Sequence, residues 1–477
     1  MAEKEYISPL TTRYASREMK EIFSPFNKYK TWRKLWVALA EAQQELGLKI
    51  TNEQISQLKA EISAIDFAKV KAYESLSRHE VMAHIEAYGD ACPKAKGIIH
   101  LGATSAYVMD NGDLIQMDQG LKLLKGKLVV LIEKLNHLSL KGIDTPCLGF
   151  THFQPAQPTT VGKRSSLWLQ DFVTDFNDLE HLMDSFPFLG AKGAIGSQAS
   201  YMALFKNDHQ KVKALDEKIT RKMGFTKSYI VSSQTFPRKQ EMRILNVLAS
   251  FAASVHKCAT DIRILSHLNE VEEPFREAQV GSSAMPYKRN PITAERACAL
   301  ARFVLSLWNN PAYTASLQWL ERTLDDSANR RLAIPEAFLA TDSLLSLMGN
   351  LIDGLKVFPK MMHTRLEEHL PYLAMEHLLA AATLKGEDRG IIHDKLRKHA
   401  FEAGKQKREE GKSSDLLKRI AEDPSIDLSE EEITALLKPE NLRGRSREQV
   451  IEFLKLEVEP LLEKNLSLKT LLPPLDV

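Results

Sequence analysis

The sequence predicts an all-α protein built as a bundle of long helices. Three observations lead there. Five segments, 106–141, 159–185, 240–270, 292–308 and 326–357, carry Leu, Ala, Val and Ile at helical spacing over unusual lengths. Strand-type alternation is scarce everywhere. Several of the long segments are apolar over more than one face, as in Leu245, Val247, Leu248, Phe251, Ala252 and Val255. A helix apolar over so wide an arc needs neighbours on several sides. That predicts a bundle whose members also pack against other copies of the chain.

Along the chain, Pro9 to Ser24 reads as irregular, with a polar cluster that includes Thr11, Thr12, Arg13 and Tyr14. From Asn27 a helical repeat takes over, with Trp32, Leu35, Trp36 and Leu39 on one face and Gly47 as its stop. Thr51 and Gln54 form a capping-box pattern for the next helix, and 78–90 reads as a further short one. A first domain is placed at 1–104 and a central bundle domain at 105–357. A C-terminal domain of shorter helices follows at 358–477, opening near Pro359. Its Lys-, Arg- and Glu-rich stretches, such as 404–411, are solvated helix faces. Gly190, Gly193 and Gly196 mark a turn or small hairpin; they fit neither a Walker loop nor a dinucleotide fingerprint.

Composition narrows the function. The chain has 477 residues, 44% hydrophobic and 26% charged, with a formal net charge of +2. There is no global field to recruit nucleic acid or an anionic membrane, so an anion must be met by a local cluster. The four cysteines, Cys92, Cys147, Cys258 and Cys298, are scattered and form no metal knuckle or disulfide framework. A reducing, cytoplasmic setting fits. The first ten residues show no apolar signal core, and no apolar run is read as reaching transmembrane length.

The most informative stretch is Val280 to Pro291, V-G-S-S-A-M-P-Y-K-R-N-P. Gly281, Pro286, Asn290 and Pro291 break any helix through it. Met285 and Tyr287 anchor it weakly, so it is expected to close over a ligand as a mobile loop. It holds hydroxyls, a lysine, an arginine and an amide, which suit an anion. Its only candidates for a base are Ser282 and Ser283, which the residues alone do not separate. A serine alkoxide needs stabilisation, and Lys288 is the fixed positive charge nearest in sequence, with a helix start following at Pro291.

Three other runs carry chemistry. His152 lies in G-F-T-H-F-Q-P-A-Q-P-T-T, where Pro155 and Pro158 predict an extended loop before a helix from about Thr159. Arg78 to His84, R-H-E-V-M-A-H, is no zinc motif: His79 and His84 are five apart, about 140° around a helix. Glu321 to Arg331, E-R-T-L-D-D-S-A-N-R-R, offers Asp325 or Asp326 as an N-cap. Ser327 and Arg331 then share a face, and Arg330 turns about 100° away. A hydroxyl and a guanidinium at a helix N-terminus suit a phosphomonoester, with Arg322 and Arg296 completing the cluster.

The run G-S-S-A-M-P-Y-K-R-N-P resembles the S-S-x-M-P-x-K-x-N signature of the fumarase/aspartase lyase superfamily. Its form here, with T-H-F-Q-P-A-Q-P-T-T-V-G-K-R, is similar to the branch that cleaves phosphorylated succinyl-nucleotides. The resemblance implies a β-elimination releasing fumarate, with no metal or organic cofactor. It makes Ser282 the general base and His152 the general acid. Lys288 and Asn290 are the donors to the aci-carboxylate. It places Arg78, His79 and Glu80 at the substrate, Glu80 standing where relatives carry Asp. Thr104 and Ser105 then meet the succinyl portion, with Gln234 a further contact. Arg13, Tyr14, Arg296, Arg322, Ser327 and Arg331 hold the phosphate end. It further implies a homotetramer with a helical core, whose sites form where three subunits meet. The competing readings are another fumarate-releasing enzyme of the superfamily, such as argininosuccinate lyase, and a non-catalytic scaffold of the same fold.

Overall fold

A computed structural model describes residues 4–276, 278–470 and 472–473. The extreme ends of the first and last expected domains lie outside them. The elements that position the site are α1 (Pro25–Glu45), α2 (Glu80–Ala91), α3 (Ser105–Lys141), β1 (Pro146–Thr151), β2 (Gln154–Thr160), α4 (Val161–Asp184), α5 (Lys239–His267), β3 (Val271–Glu272), α6 (Ile292–Leu307), α7 (Asp326–Asp353), β4 (Lys356–Val357) and α8 (Pro359–Leu373).

The five long helices α3 to α7 form the bundle that the sequence predicts. Their directions follow from the polar contacts at their ends. Arg238, just before α5, pairs with Asp110 near the start of α3 and Asp326 at the start of α7, at 2.9 and 2.7 Å. At the other end Lys134 of α3 reaches Asp353 of α7 at 2.8 Å. These three helices therefore run parallel. Helix α4 returns: Arg243 in the first turns of α5 bonds Ser185, just beyond its last residue. So does α6, which ends where Trp308 bonds Asn246 of α5. Packing is tight at Gly112, where a Cβ would stand 3.0 Å from the Trp32 ring nitrogen of α1 and the ring would have to give.

Several boundaries differ from expectation, each for a local reason. Pro9 to Ser24 is not irregular: a π-turn spans Leu10–Tyr14, and a helix spans Arg17–Ile22 with Ser16 as its N-cap and Met19 buried. The short helix starts at Glu80, because Arg78 is left-handed (φ 52°) and His79 is its N-cap. The run around His152 is a two-stranded hairpin rather than a loop: β1 pairs antiparallel with β2, and the turn residues His152 and Phe153 have φ of 54° and 57°. Pro155 and Pro158 cost little in such a two-stranded ribbon. Helix α5 ends early because Asn269 turns left-handed, and α7 ends at the Gly354 C-cap, before β4 pairs with β3. Gly190, Gly193 and Gly196 have positive φ and form turns beside a single Phe188–Ser228 bridge, not a hairpin.

Most of the apolar arc of α5 is covered within the chain: Leu245, Leu248, Phe251, Ala252 and Val255 are buried, and Val247 is half-buried. Apolar surface left bare lies elsewhere, at Ile230, Val231, Trp319, Leu320, Leu324 and Leu332. Contrary to the expectation that no run reaches transmembrane length, α7 is long and apolar enough to cross a membrane, but 83% of its apolar window is buried inside the chain. Leu378, Ile392, Leu396, Leu416, Ile420 and Ile433 form a separate small core. Val450, Leu454, Val458 and Leu461 return to the main one.

Two histidines, buried His84 and half-buried His100, tie the fold to pH. His84 lies against the Tyr29 ring at 3.9 Å between centroids, and its Nε2 has no hydrogen-bond partner among the described residues. His100 accepts from Trp36 Nε1 at 2.9 Å. Burial pushes each down to about 4. Between that value and the unfolded value near 6.5 the unfolded chain binds more protons, so stability falls as pH drops through this window, by roughly 3 kcal/mol per histidine in full. His84→Phe keeps the ring packing and should make the denaturation midpoint less acid-sensitive between pH 6.5 and 4. An unchanged pH dependence would contradict this.

Candidate active site

The sequence-selected residues form separate groups in one chain. The first lies where α3 and α7 begin. His79 accepts from the Met82 N–H through Nδ1, and its Nε2 is 3.5 Å from Ser105 Oγ. Thr104 is the N-cap of α3 and makes no side-chain cap bond, so its hydroxyl is not used up in capping. Glu80 continues the group. Lys28 Nζ and the Tyr29 hydroxyl donate to Oε1 at 2.8 and 2.9 Å, and Arg331 Nη2 donates to Oε2 at 2.7 Å. Burial alone would raise the Glu80 carboxyl; Lys28, Arg331 and Tyr29 prevail and hold it down at about 2. The longer Glu side chain thus serves first as an ion-pair partner of Arg331. Ser327 and Arg331 line a cavity of about 170 Å³ with Lys28, Asp113 and Gln116. Arg78, at the left-handed C-cap just before His79, is exposed.

Beneath this cavity is a buried charge network that fixes its frame. Arg238 lies between Asp110 and Asp326, and Arg322 Nη1 reaches Asp326 at 2.9 Å. Arg330, the next residue round the helix from Arg331, lines the same cavity and bonds Glu241 at 2.7 Å and Asp113 at 2.8 Å. Both Arg238 and Arg330 stack on Phe236, at 4.5 and 5.4 Å. Burial acts to raise the Asp326 carboxyl, but its arginine partners keep it below its ordinary value. Asp325 is the N-cap by position but makes no cap bond; its carboxylate takes the Thr323 hydroxyl instead. Gln234 donates to the Ala194 carbonyl at 3.0 Å.

A second group is the Val280–Pro291 loop. Ser282 is half-buried and its Oγ accepts from the Met285 N–H at 3.2 Å; Ser283 and Lys288 are exposed. Asn290 Nδ2 donates to the Gly281 carbonyl at 3.1 Å, pinching the loop closed. Gly281 is required there, since a Cβ would stand 2.2 Å from the Lys288 carbonyl. The loop is anchored at its ends. Arg289 pairs with Glu272 of β3 at 2.9 Å, and buried Glu273 accepts from the Thr293 and Ala294 N–H groups, capping α6.

His152 sits at the exposed tip of the β1–β2 hairpin, beside no other selected residue. A fourth pair is Tyr14 and Arg296, whose guanidinium lies 6.0 Å from the ring centroid; Arg13 is exposed on the same turn. Sequence reasoning missed Lys28, Tyr29, Arg238 and Glu273. Nothing marks them as motif residues, because their role comes from partners 20 to 128 positions away, a distance of fold rather than of sequence.

Comparison with known proteins agrees with this architecture. Residues 16–305 match the family described as Lyase, and residues 371–453 match the one described as Adenylosuccinate lyase C-terminus. The fold is shared with the 3-carboxy-cis,cis-muconate lactonizing enzyme of Pseudomonas putida (TM-score 0.81, 23% identity, covering 96% of this chain and 99% of that one). It is also shared with a fumarate lyase of Mesorhizobium sp. BNC1 (TM-score 0.81, 23% identity, 93% and 98% covered). Long-helix bundle and loop together define a lyase of the fumarase/aspartase class. The adenylosuccinate lyases of Schistosoma mansoni and Saccharomyces cerevisiae are 47% and 46% identical to the chain over 459 and 461 residues, 96% of each protein. The chain belongs to the adenylosuccinate lyase family, and with it to the carbon–nitrogen lyases.

Proposed function

We propose that the chain splits adenylosuccinate into AMP and fumarate, and succinyl-aminoimidazole-carboxamide ribotide into aminoimidazole-carboxamide ribotide and fumarate. The observation that carries this is the near-full-length likeness to adenylosuccinate lyases, with Ser282, Lys288, Asn290 and His152 in place. In the proposed step Ser282, as alkoxide, takes the proton from the carbon beside a succinyl carboxylate. The Met285 N–H aimed at its Oγ favours that charged form. The electron pair moves into the carboxylate, giving an aci-carboxylate held by Lys288, Asn290 and loop amides. It then returns to form the C=C bond as the C–N bond breaks, and His152 protonates the leaving nitrogen. The substrate carboxylate itself holds the transient charge, so no cofactor enters.

One chain does not hold the whole site. Ser105 opens and Lys141 closes α3, 37 residues and therefore about 55 Å long. His79 is at its first end, while the His152 hairpin springs from the other. A substrate touching both draws them from different copies. The bare apolar residues Trp319, Leu320, Leu324 and Leu332 support association, and a homotetramer with shared sites is the form we propose. A cytoplasmic setting belongs to the same reading and fits four buried, unpaired cysteines.

The test is fumarate release, followed by absorbance, from adenylosuccinate and from argininosuccinate. Turnover of the first alone is expected. Turnover of the second alone would overturn the assignment, and an inert protein would favour the scaffold reading. Arg331→Ala should weaken substrate binding by about 2–5 kcal/mol if its phosphate contact is buried in the assembled site. Unchanged affinity by calorimetry with product AMP would place the phosphate elsewhere.

A further inference from the structure

The hairpin carrying His152 and the loop carrying Ser282 share one buried ionic junction. Glu270 is fully buried immediately before β3. Arg164, in the first turn of α4 just past the hairpin, sets Nη1 3.7 Å from Glu270 Oε2 and donates from Nη2 to the Leu148 carbonyl of β1 at 2.5 Å. Arg365 of α8 sets Nε 3.1 Å from Oε1 and donates from Nη2 to the Leu268 carbonyl at 3.0 Å. The Glu270 carbonyl accepts from the Phe358 N–H at 2.9 Å, which registers β3 on β4. From β3 the path to the loop is short: Glu272 holds Arg289, and Glu273 caps α6.

No aligned hydrogen bond reaches either Glu270 carboxylate oxygen among the described residues; the two arginines are its only close charges. Such a triad adds little stability, since apolar groups of like volume often serve a core as well or better. What apolar groups lack is direction. Here one carboxylate sets the distance between β1, the start of α4 and the loop root.

We propose that Glu270 is a positioning residue whose carboxylate couples the root of the His152 hairpin to the root of the Ser282 loop, so that the two segments order together. The relevance to catalysis rests on the function proposed above; the coupling itself does not.

The test is hydrogen–deuterium exchange on the intact protein, parent against Glu270→Gln. Exchange at the hairpin (146–160) and at the loop root (270–273 and 292–296) is expected to accelerate together, at least ~10-fold, while 321–331 stays unchanged. Turnover should fall about 10-fold with KM nearly constant, because geometry and not binding is lost. A second variant, Arg164→Gln, cuts only the hairpin arm and should still loosen the loop root. Acceleration confined to one segment, uniform across the protein, or absent overturns the coupling. If instead exchange behaves as expected while Ser282→Ala and His152→Ala retain full turnover, the coupling stands and the catalytic assignment falls.

Discussion

Ser282→Ala should lower turnover at least ~100-fold while leaving the fold intact, because it removes the only proton acceptor assigned to the first step. Its neighbour is the control. Ser283 is exposed, whereas Ser282 is half-buried with Oγ 3.2 Å from the Met285 amide. An alkoxide gains from that donor, and Ser283 makes no comparable bond among the described residues. Ser283→Ala should therefore keep turnover within about tenfold of the parent. Steady-state fumarate release decides it. Near-normal activity of Ser282→Ala with loss in Ser283→Ala would exchange the two roles. Activity in both would move the base off the loop.

The second large effect is on stability. Arg238→Ala strips the central cation from Asp110 and Asp326, both buried and 2.9 and 2.7 Å from it. Asp326 keeps Arg322, but Asp110 is left buried without its cation, which costs about 3–5 kcal/mol, so the denaturant midpoint should drop sharply. Arg17→Ala, by contrast, breaks an exposed pair with Glu21 and should leave the midpoint unmoved. Asp326 opens α7, which presents Ser327 and Arg331, so Arg238→Ala should also raise KM. An unshifted midpoint would mean that the network carries no net charge coupling.

How far the sequence alone reached depended on the range of the cause. Local signals worked: the Thr51–Gln54 capping box forms, Gly47 follows the end of α1, and the five long helices start and stop within a few residues of expectation. The hairpin at His152 escaped because its two prolines read as loop signals, and only the cross-strand register makes them strand residues. The shared face of Ser327 and Arg331 was deducible from helical spacing, but not that Arg330 lines the same cavity, held there by Glu241. That Arg331 meets Glu80 across 251 positions was not. Neither was the grip of Glu273 on α6, since no periodicity encodes a contact between a loop root and a helix end. The apolar arc of α5 was legible from its spacing, but that helices of the same chain cover most of it was not, since periodicity does not name the neighbour.

The length of α3 makes the strongest demand on function, since it keeps His79 and His152 apart in any one polypeptide. His79→Ala and His152→Ala should each lose turnover at least ~100-fold when purified alone. Mixed in equal amounts, dissociated and reassociated, they should regain about a quarter of parental activity, the share of sites that draw both histidines from unaltered positions. Reassociated mixtures that stay as inactive as either variant, with hybrid assemblies present by native mass spectrometry, would mean that each site is built within a single chain.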